Sequence, residues 1–410
     1  MKVGLLVPDS GSIDVDDLCA RFRAPVSRLE PFHAATLAFC DSIAQALFHD
    51  SAARRFPELQ ALAFWMRKSS MLRMKEQFDS LANDWTILVP RGLVFHIPPS
   101  NVDTIFVYSW ILSVLAGNTN IIRFSERAGE AATIICRVLG DTLAKQNSAL
   151  QHSTAIVRYG RDREITAAIS AACDVRVIWG GDATVNAIRS LPLPPHAAEL
   201  TFPDRYSLVV LRASAYLALE EKGRQEIAKR FYNDMFWFDQ MACSSPRTTI
   251  WVGSKEDCEP ASQQFYRELE REVNEHGYEL PTGPRLNKLT FAYRAILDQP
   301  DIEQLHRYGS ETTILQLADL AGVRREHCGG GLLFEAWTPA LNDLAGIIEQ
   351  RDQTITHFGF ESCDLRELVG KLGGRGGDRF VPIGQALTFN RFWDGYDLLR
   401  EFTRTVYIQV

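Results

Sequence analysis

Cysteine is sparse in this sequence, with eight residues in a chain of 410. No two of them form a Cys-x-x-Cys pair, so neither a disulfide scaffold nor a zinc-finger type of metal cluster is indicated. We expect eight reduced thiols in a cytoplasmic protein, most of them buried as small hydrophobic side chains. The sequence therefore predicts no metal site.

Basic residues are in deficit and long hydrophobic runs are absent. Lys and Arg total 44 against 51 Asp and Glu, a net charge of −7, which argues against a protein that coats nucleic acid or an anionic membrane. The longest apolar stretch, residues 105–117, is shorter than the roughly 20 residues of a membrane span. The opening MKVGLLVPDSGS has no apolar segment long enough for a secretory signal. We therefore expect no nucleic-acid partner, no membrane span and no leader.

The composition is otherwise that of a folded globular protein, with 46% hydrophobic and 23% charged residues. At roughly 150 residues per domain, the length predicts two or three domains. Residues 1–85 have a mainly helical pattern. Within them, one packed helix is predicted from Pro57 onward by the spacing of Leu59, Leu62, Phe64, Trp65, Met66 and Leu72.

From residue 86 onward, strand-like runs alternate with helical patterns. This alternation predicts a parallel, doubly wound α/β sheet, which binds ligands at the carboxyl ends of its strands. The predicted strands are 86–97, 120–124, 155–159, 175–179 and 207–211, and the predicted helices are 104–116, 128–143, 164–173 and 182–190.

The standard phosphate-binding fingerprints, G-x-G-x-x-G and G-x-x-x-x-G-K-[ST], do not occur. A weaker signal is Gly180-Gly181, which lies between the strand 175–179 and a predicted helix. Free backbone N–H groups and the helix dipole at such a turn suit a pyrophosphate.

A cation and a carboxylate follow the predicted strand 120–124. Arg123 and Glu126, with Ser125 between them, are placed to hold ribose hydroxyls at the carboxyl end of that strand. The alternative interpretation is an ion pair at the surface.

Two further stretches contain candidate catalytic groups. Cys243 stands between small residues before a predicted strand at 248–252, and a thiolate nucleophile needs such an open approach to its sulfur; the alternative is a small thiol in the core. Asn101 follows the turn Pro98-Pro99, from which its side chain can donate N–H to an oxyanion. Pro and Asn are also ordinary turn residues.

Together these stretches resemble the aldehyde dehydrogenase superfamily, and within it the LuxC-like fatty acyl-CoA reductases of bacterial bioluminescence operons. The diagnostic stretch is PRGLVFHIPPSNVDTIFVYSWILSVLAGNTNIIRFSERAG, residues 90–129. The block around Cys243 and the C-terminal RFVPIGQALTFNRFWDGYDLLREFTR extend the resemblance over about residues 86–405. It implies an α/β, aldehyde dehydrogenase-like fold, with a Rossmann-like parallel-sheet cofactor domain and an α/β catalytic domain.

The domain boundaries follow from this resemblance and from two breaks in the sequence. The Pro-rich segment 191–195 interrupts the alternation, and the glycine run 373–377 is typical of a hinge or turn. We predict a cofactor domain over residues 1–205, with 378–410 packing back on it. The catalytic domain is predicted over residues 206–377.

The resemblance also implies roles for individual residues. Cys243 falls on the nucleophile, and Asn101 falls on the oxyanion-stabilising Asn that acts beside the Cys243 N–H. Pro98 and Pro99 shape the turn that carries Asn101 and border the cofactor.

Arg123 falls where dehydrogenases usually have Lys, Ser125 follows it, and Glu126 falls on the ribose-binding Glu. Gly180 and Gly181 fall on the pyrophosphate turn. The implied cofactor is NADPH, with NAD(H) as the alternative, because a carboxylate at Glu126 repels a 2′-phosphate while neighbouring arginines offset that charge.

The sequence departs from the dehydrogenase pattern at one informative place. Dehydrogenases carry Glu-Leu-Gly-Gly-Lys, whose Glu activates the deacylating water, whereas this chain has Ala198-Glu199-Leu200-Thr201-Phe202. Glu199 is the candidate for that catalytic Glu. The alternative is a polar residue without a role in the reaction.

The implied reaction is reduction of an acyl thioester. The Cys243 thiolate attacks the carbonyl, the thiol carrier leaves, and a reduced nicotinamide converts the acyl-cysteine to an aldehyde. This direction needs no water, so a weakened general-base site fits a reductase better than an oxidising enzyme.

Three alternatives stay open: an NAD-dependent aldehyde dehydrogenase, an acyltransferase or thioesterase that reuses the fold, and a non-catalytic subunit of a complex. The expected substrates are an acyl-CoA or an acyl group on a carrier protein, with an acyl-activating enzyme as a further partner. The resemblance also implies a homodimer or homotetramer formed through a β extension.

Overall fold

The computed structural model describes residues 1–8, 11–23, 29–99, 105–126, 128–146, 148–323 and 325–409. The chain divides into two compact units. Unit 1 comprises Met1–Pro203 and Phe389–Val410, and unit 2 comprises Asp204–Thr388. Each unit is described by itself below.

Unit 1 begins with a two-stranded antiparallel pair, β1 (Lys2–Val7) and β2 (Gly11–Asp14), in which Lys2 lies opposite Asp14. This pair is an exception within residues 1–85, whose described part is otherwise mainly helical, as predicted. Alternate residues of β1 are buried, as in any strand with one covered face. This period of two is visible in KVGLLV and was the signal for a strand.

Four helices follow: α1 (Val15–Arg23), α2 (Ala34–His49), α3 (Pro57–Trp65) and α4 (Lys68–Asp79). The single helix predicted from Pro57 is two helices, because the chain breaks at Met66–Arg67. Two members of its predicted apolar stripe, Phe64 and Leu72, are exposed by 57% and 39%. Phe64 points to the opposite side of α3 from Leu62, because two residues correspond to about 200° around a helix, and Leu72 belongs to the second helix, beyond the break.

From residue 86 strands and helices alternate as the sequence predicts, except that the single strand predicted over 86–97 is two strands, Thr86–Pro90 and Leu93–Ile97, which belong to different sheets. The elements of this part are β3 (Thr86–Pro90), β4 (Leu93–Ile97), α5 (Ile105–Leu115), β5 (Thr119–Phe124), α6 (Glu130–Leu143), α7 (Ser148–Gln151), β6 (Thr154–Arg158), α8 (Arg163–Ala172), β7 (Val175–Trp179), α9 (Asp182–Arg189) and β8 (Ala198–Phe202).

The sheet of unit 1 has the order β2-β1-β6-β5-β4-β7-β8, and the five strands from β6 to β8 are parallel. The chain proceeds from β4 outward to β5 and β6, then returns to the other side of β4 to form β7. The strand order therefore reverses at β4, and the carboxyl end of β4 is where a doubly wound sheet binds ligands.

One face of this sheet packs on α1 and α8, where Phe22 and Ile169 are buried with Phe95 and Ile121. Each such side chain contributes roughly 1.5–3 kcal/mol on full burial. All residues of α5 are buried, as expected for a helix that is apolar on every side. Within the described part of the chain, no helix is both long and apolar enough to cross a membrane.

Unit 2 has its own seven-stranded sheet, in the order β11-β12-β13-β10-β9-β14-β15, antiparallel only between β11 and β12. Helices pack on both of its faces. Its elements are β9 (Tyr206–Arg212), α10 (Ala213–Leu217), α11 (Glu221–Phe236), β10 (Thr248–Val252), α12 (Lys255–Glu275), α13 (Thr282–Asp298), β11 (Ile302–Tyr308), β12 (Thr312–Leu317), β13 (Leu332–Thr338), β14 (Asp352–Phe358), α14 (Ser362–Leu372) and β15 (Arg379–Pro382).

The glycine run 373–377 is a turn inside unit 2. Gly373 ends α14 in the left-handed conformation at φ 58°. Because β15 then pairs with β14, residues 379–388 belong to unit 2, and the C-terminal part of unit 1 starts at Phe389.

That C-terminal part contains β16 (Phe392–Trp393), β17 (Tyr396–Asp397), α15 (Leu398–Glu401) and β18 (Thr403–Tyr407). β18 pairs antiparallel with β3, forming a two-stranded ribbon apart from the main sheet.

Candidate active site

Cys243 lies in the loop between α11 and β10 in unit 2. The neighbouring Ala242, Ser244 and Ser245 are buried, while Cys243 is half-buried. Its carbonyl oxygen accepts a hydrogen bond of 2.8 Å from the Ser207 Oγ. The thiol is thus anchored through its backbone, and it keeps the partial exposure that a nucleophile needs.

The loop that carries Cys243 is shaped by two residues in the left-handed region, Asp239 at φ 50° and Gln240 at φ 61°. This conformation is uncommon for residues other than glycine. The Gln240 Nε2 donates to the carbonyl oxygens of Pro246 and Leu332, each at 2.8 Å. Its Oε1 accepts from the Gly331 N–H at 3.0 Å. One buried amide therefore ties the cysteine loop to the glycine loop before β13.

The glycine loop requires its glycines for steric reasons. Gly331 has φ 83°, and a Cβ there would lie 2.0 Å from the carbonyl oxygen of Glu311. A Cβ at Gly329 would lie 2.5 Å from the Met241 Sδ. Only glycine lets this loop approach the cysteine loop so closely.

Two buried polar side chains lie beside the Cys243 thiol. The Gln353 Nε2 donates to Cys243 Sγ at 3.6 Å, which suits sulfur because its radius exceeds that of oxygen. Arg247 donates from Nη2 to the Ala242 carbonyl at 3.3 Å. Burial lowers the pKa of Arg247, and charge interactions with Cys243 and Tyr206 partly restore it. Because that attraction is mutual, the guanidinium also favours a thiolate at Cys243.

The candidate cofactor groups lie in unit 1, at the carboxyl ends of its parallel strands. Pro98 and Pro99 follow β4, the strand at which the order reverses, and both are half-buried. Asn101 lies outside the described residues, so its role as an oxyanion donor stays a prediction.

The ends of the adjacent strands β5 and β6 bring Arg123 and Glu126 to the same backbone. The Arg123 Nη2 donates to the Gly160 carbonyl at 2.9 Å, and a Cβ at Gly160 would lie 3.7 Å from the Glu126 carboxylate. The Arg123 Nε is buried without a hydrogen-bond partner. Ser125 is half-buried between them. The Arg123 guanidinium, whose buried Nε has no hydrogen-bond partner, and the exposed Glu126 carboxylate therefore lie at the same edge of the sheet.

Gly180 and Gly181 join β7 to α9, as predicted. Gly180 has φ 156° and its N–H donates to the Phe202 carbonyl at 3.1 Å. Gly181 is the N-cap of α9 and has no side chain to satisfy the first N–H groups of the helix. Asp182 occupies the first turn, where its charge complements the helix dipole.

Glu199 lies on β8, beside β7. Its Oε2 accepts from Arg176, with the Arg176 Nε at 2.8 Å, and its Oε1 accepts from the Arg189 Nε at 3.0 Å. Arg176 is 1% exposed, so this carboxylate neutralises a buried cation. Both carboxylate oxygens of Glu199 are thus occupied by arginines, and its catalytic role stays a prediction.

Ser207, Gln240, Arg247 and Gln353 were missed by the sequence interpretation. The available signal for Gln353 was three consecutive polar residues, Asp-Gln-Thr, in a strand between two parallel neighbours, where apolar residues are the rule. The signal for Gln240 was weaker, because a Gln before a loop cysteine is unremarkable without its φ angle.

No group of three or more His, Cys, Asp or Glu side chains among the described residues is placed to hold a metal ion.

Solved structures similar over nearly the whole chain include aldehyde dehydrogenases. Aldehyde dehydrogenase 21 from Physcomitrella patens has 9% identity and a TM-score of 0.69, covering 96% of this chain and 89% of its own. A structure from Burkholderia cenocepacia assigned to the aldehyde dehydrogenases has 13% identity and a TM-score of 0.67, covering 100% and 95%. A lactaldehyde dehydrogenase has 12% identity and a TM-score of 0.66, covering 97% and 91%. The predicted α/β, aldehyde dehydrogenase-like fold is confirmed.

The family model for acyl-CoA reductase (LuxC) matches residues 61–286, more than half of the chain. The chain therefore belongs to the LuxC acyl-CoA reductase family, as the resemblance predicted. Family and fold together identify an oxidoreductase of aldehyde chemistry. A search of curated proteins found no significant match.

Proposed function

We propose that this protein reduces an acyl thioester, such as an acyl-CoA, to the aldehyde through an acyl-cysteine at Cys243. The observation that carries the proposal is the half-buried Cys243 thiol. It lies in a loop fixed by buried hydrogen bonds, and the Gln353 amide donates to its sulfur. The family supplies the substrate class, because it consists of acyl-CoA reductases.

The chain's own part in the reaction is the acyl transfer. The Cys243 thiolate adds to the thioester carbonyl, a new C–S bond forms, and the bond to the carrier sulfur breaks. The carrier leaves as a thiolate and takes a proton from solvent. Arg247 favours the attacking thiolate by its charge, and the Ser207 and Gln240 contacts keep the loop in place.

The strand ends of unit 1 fit a nicotinamide nucleotide. The buried Arg123 Nε has no partner, and Gly181 leaves the α9 N-terminus without a side-chain cap. Arg123 and Glu126 would hold the ribose, and Gly180 and Gly181 would face the pyrophosphate. A bound reduced nicotinamide would supply the hydride. NADPH is the proposed form, because the Arg123 guanidinium would attract a 2′-phosphate. The Glu126 carboxylate would repel the same phosphate.

The described groups of unit 2 around Arg247 favour release of an aldehyde over hydrolysis. Burial and the charges of Arg247 and Arg351 lower the pKa of His327 to about 3, so its imidazole is a weak base. An imidazole this weakly basic gives little help to hydrolysis of an acyl-cysteine, which suits a reductase.

The test is to assay both directions with one acyl-CoA and its aldehyde, using NADPH and NADH, with a trapped aldehyde identified as product. We expect NADPH-dependent aldehyde formation that is lost in Cys243→Ala and kept in Cys363→Ala, a matched change at an exposed cysteine. Oxidation of the aldehyde to the free acid with NAD, without acyl-CoA reduction, would favour an aldehyde dehydrogenase. Thioester cleavage without any nicotinamide would favour an acyltransferase or thioesterase.

The proposal extends to assembly. Trp85, Ile87, Tyr407 and Ile408, on and beside the β3–β18 ribbon, are exposed by 43–63%. Exposed apolar groups on a ribbon with free edges support pairing between copies of the chain. We propose a homodimer or homotetramer formed through this ribbon, with an acyl-activating enzyme as the source of the acyl group and a carrier protein as an alternative carrier.

A further inference from the structure

Gln353 belongs to a run of three buried polar residues at the start of β14. Asp352, Gln353 and Thr354 are each 0% exposed. Buried polar groups are costly unless they are hydrogen-bonded. Asp352 is paired with Arg325, whose Nη2 lies 2.6 Å from Oδ2. The partners of the other two define a directed chain of hydrogen bonds.

The direction of that chain is fixed at its far end by Arg379. The Arg379 Nη1 lies 3.3 Å from the Thr354 Oγ1, and a guanidinium can only donate. The Thr354 hydroxyl therefore accepts from Arg379 and gives its own proton to the Gln353 Oε1, at 3.1 Å.

This assignment orients the Gln353 amide. Because its oxygen accepts from the Thr354 hydroxyl, its NH2 group is the end that faces Cys243 Sγ at 3.6 Å. The chain runs from the Arg379 cation through Thr354 and Gln353 to the sulfur, and donors in such a series polarise one another.

We infer that Gln353 is a positioning residue that holds Cys243 Sγ and stabilises it as a thiolate, with Thr354 and Arg379 fixing the direction of the amide. The inference rests on the proposed function, in which Cys243 is the nucleophile. A neutral amide donates to the thiolate without being able to activate water. Gln353 therefore supports acyl transfer and gives no help to hydrolysis of the acyl-cysteine.

The test is the rate at which iodoacetamide alkylates Cys243 as a function of pH, followed by site-resolved mass spectrometry. Gln353→Met removes the donor at nearly constant shape. We expect alkylation at pH 7 to slow about tenfold, because a hydrogen bond to a charged group is lost, and the pH midpoint to rise by about one unit. The matched control is Gln316→Leu, at a half-buried glutamine on β12 that bonds His306.

Thr354→Val removes the hydroxyl that links Arg379 to Gln353. It tests the inference if the Gln353→Met protein does not fold. It should raise the midpoint in the same direction by a smaller amount. A midpoint that stays at the wild-type value in a folded variant overturns the inference. Acylation by acyl-CoA is scored separately: an altered midpoint without acylation of Cys243 leaves the contact standing and refutes the proposed function.

Discussion

Replacing Gln240 with leucine tests the claim that one buried amide holds the cysteine loop. Gln240 is 0% exposed and makes three hydrogen bonds to backbone groups, one to Pro246 in its own loop and two to Gly331 and Leu332 at the start of β13. Leucine has a similar size and no polar atoms, so the variant leaves two carbonyl oxygens and one N–H without this partner.

Each buried group left unsatisfied costs about 1–3 kcal/mol. Taking the lower end of that range for each of the three groups, we expect a total loss of about 3 kcal/mol in the free energy of unfolding of unit 2. A loosened cysteine loop should also exchange its amide hydrogens faster. We therefore expect a lower free energy of unfolding together with less protection of the loop amides from hydrogen exchange.

The assay is a urea titration combined with hydrogen–deuterium exchange of the peptide that contains Cys243. Met241→Leu is the control, because Met241 lies in the same loop with 44% of its surface exposed and should change stability by less than about 0.5 kcal/mol. A Gln240→Leu protein within about 1 kcal/mol of wild type, with unchanged exchange in the loop, would refute the reasoning.

Three further predictions follow from the contacts. Burial raises the pKa of Asp234 to about 7, although two backbone N–H groups donate to its carboxyl group. The protonated carboxyl therefore stabilises the fold fully below about pH 4, and this stabilisation is lost as the pH rises towards 7. Asp234→Asn should flatten the fall in Tm over that range, and an unchanged Tm profile would contradict this. Glu199→Gln should destabilise the protein by about 3 kcal/mol, because Arg176 loses its buried partner, while turnover per folded molecule stays near wild type; lost turnover at unchanged Tm would instead make Glu199 catalytic. A Trp85→Ser and Tyr407→Ser double variant should run as a monomer in size-exclusion chromatography with light scattering, and a wild-type mass would rule out the ribbon as the interface.

The sequence predicts the elements whose signals are local. The strand 175–179 and the turn at Gly180 and Gly181 are found where the alternation and the glycines indicate them. Cys243 is in an accessible loop because small residues flank it, and flanking residues are visible in a single sequence.

What the sequence does not predict depends on register between distant segments. Glu199 reads as a candidate base, and only the pairing of β7 with β8 reveals that it faces the buried Arg176. Gln353 is 110 residues from Cys243 in the chain, and nothing local indicates their contact. The β1 strand is hard to predict for a different reason: its period-two pattern covers only six residues.

The most direct test of the account is the mass of the protein after incubation with an acyl-CoA in the absence of nicotinamide. The account predicts a gain of one acyl group, located on Cys243, present in Cys363→Ala and absent in Cys243→Ala. Hydroxylamine should remove the group, as it does a thioester. An adduct that persists in Cys243→Ala would contradict the assignment of the nucleophile on which the proposed function depends.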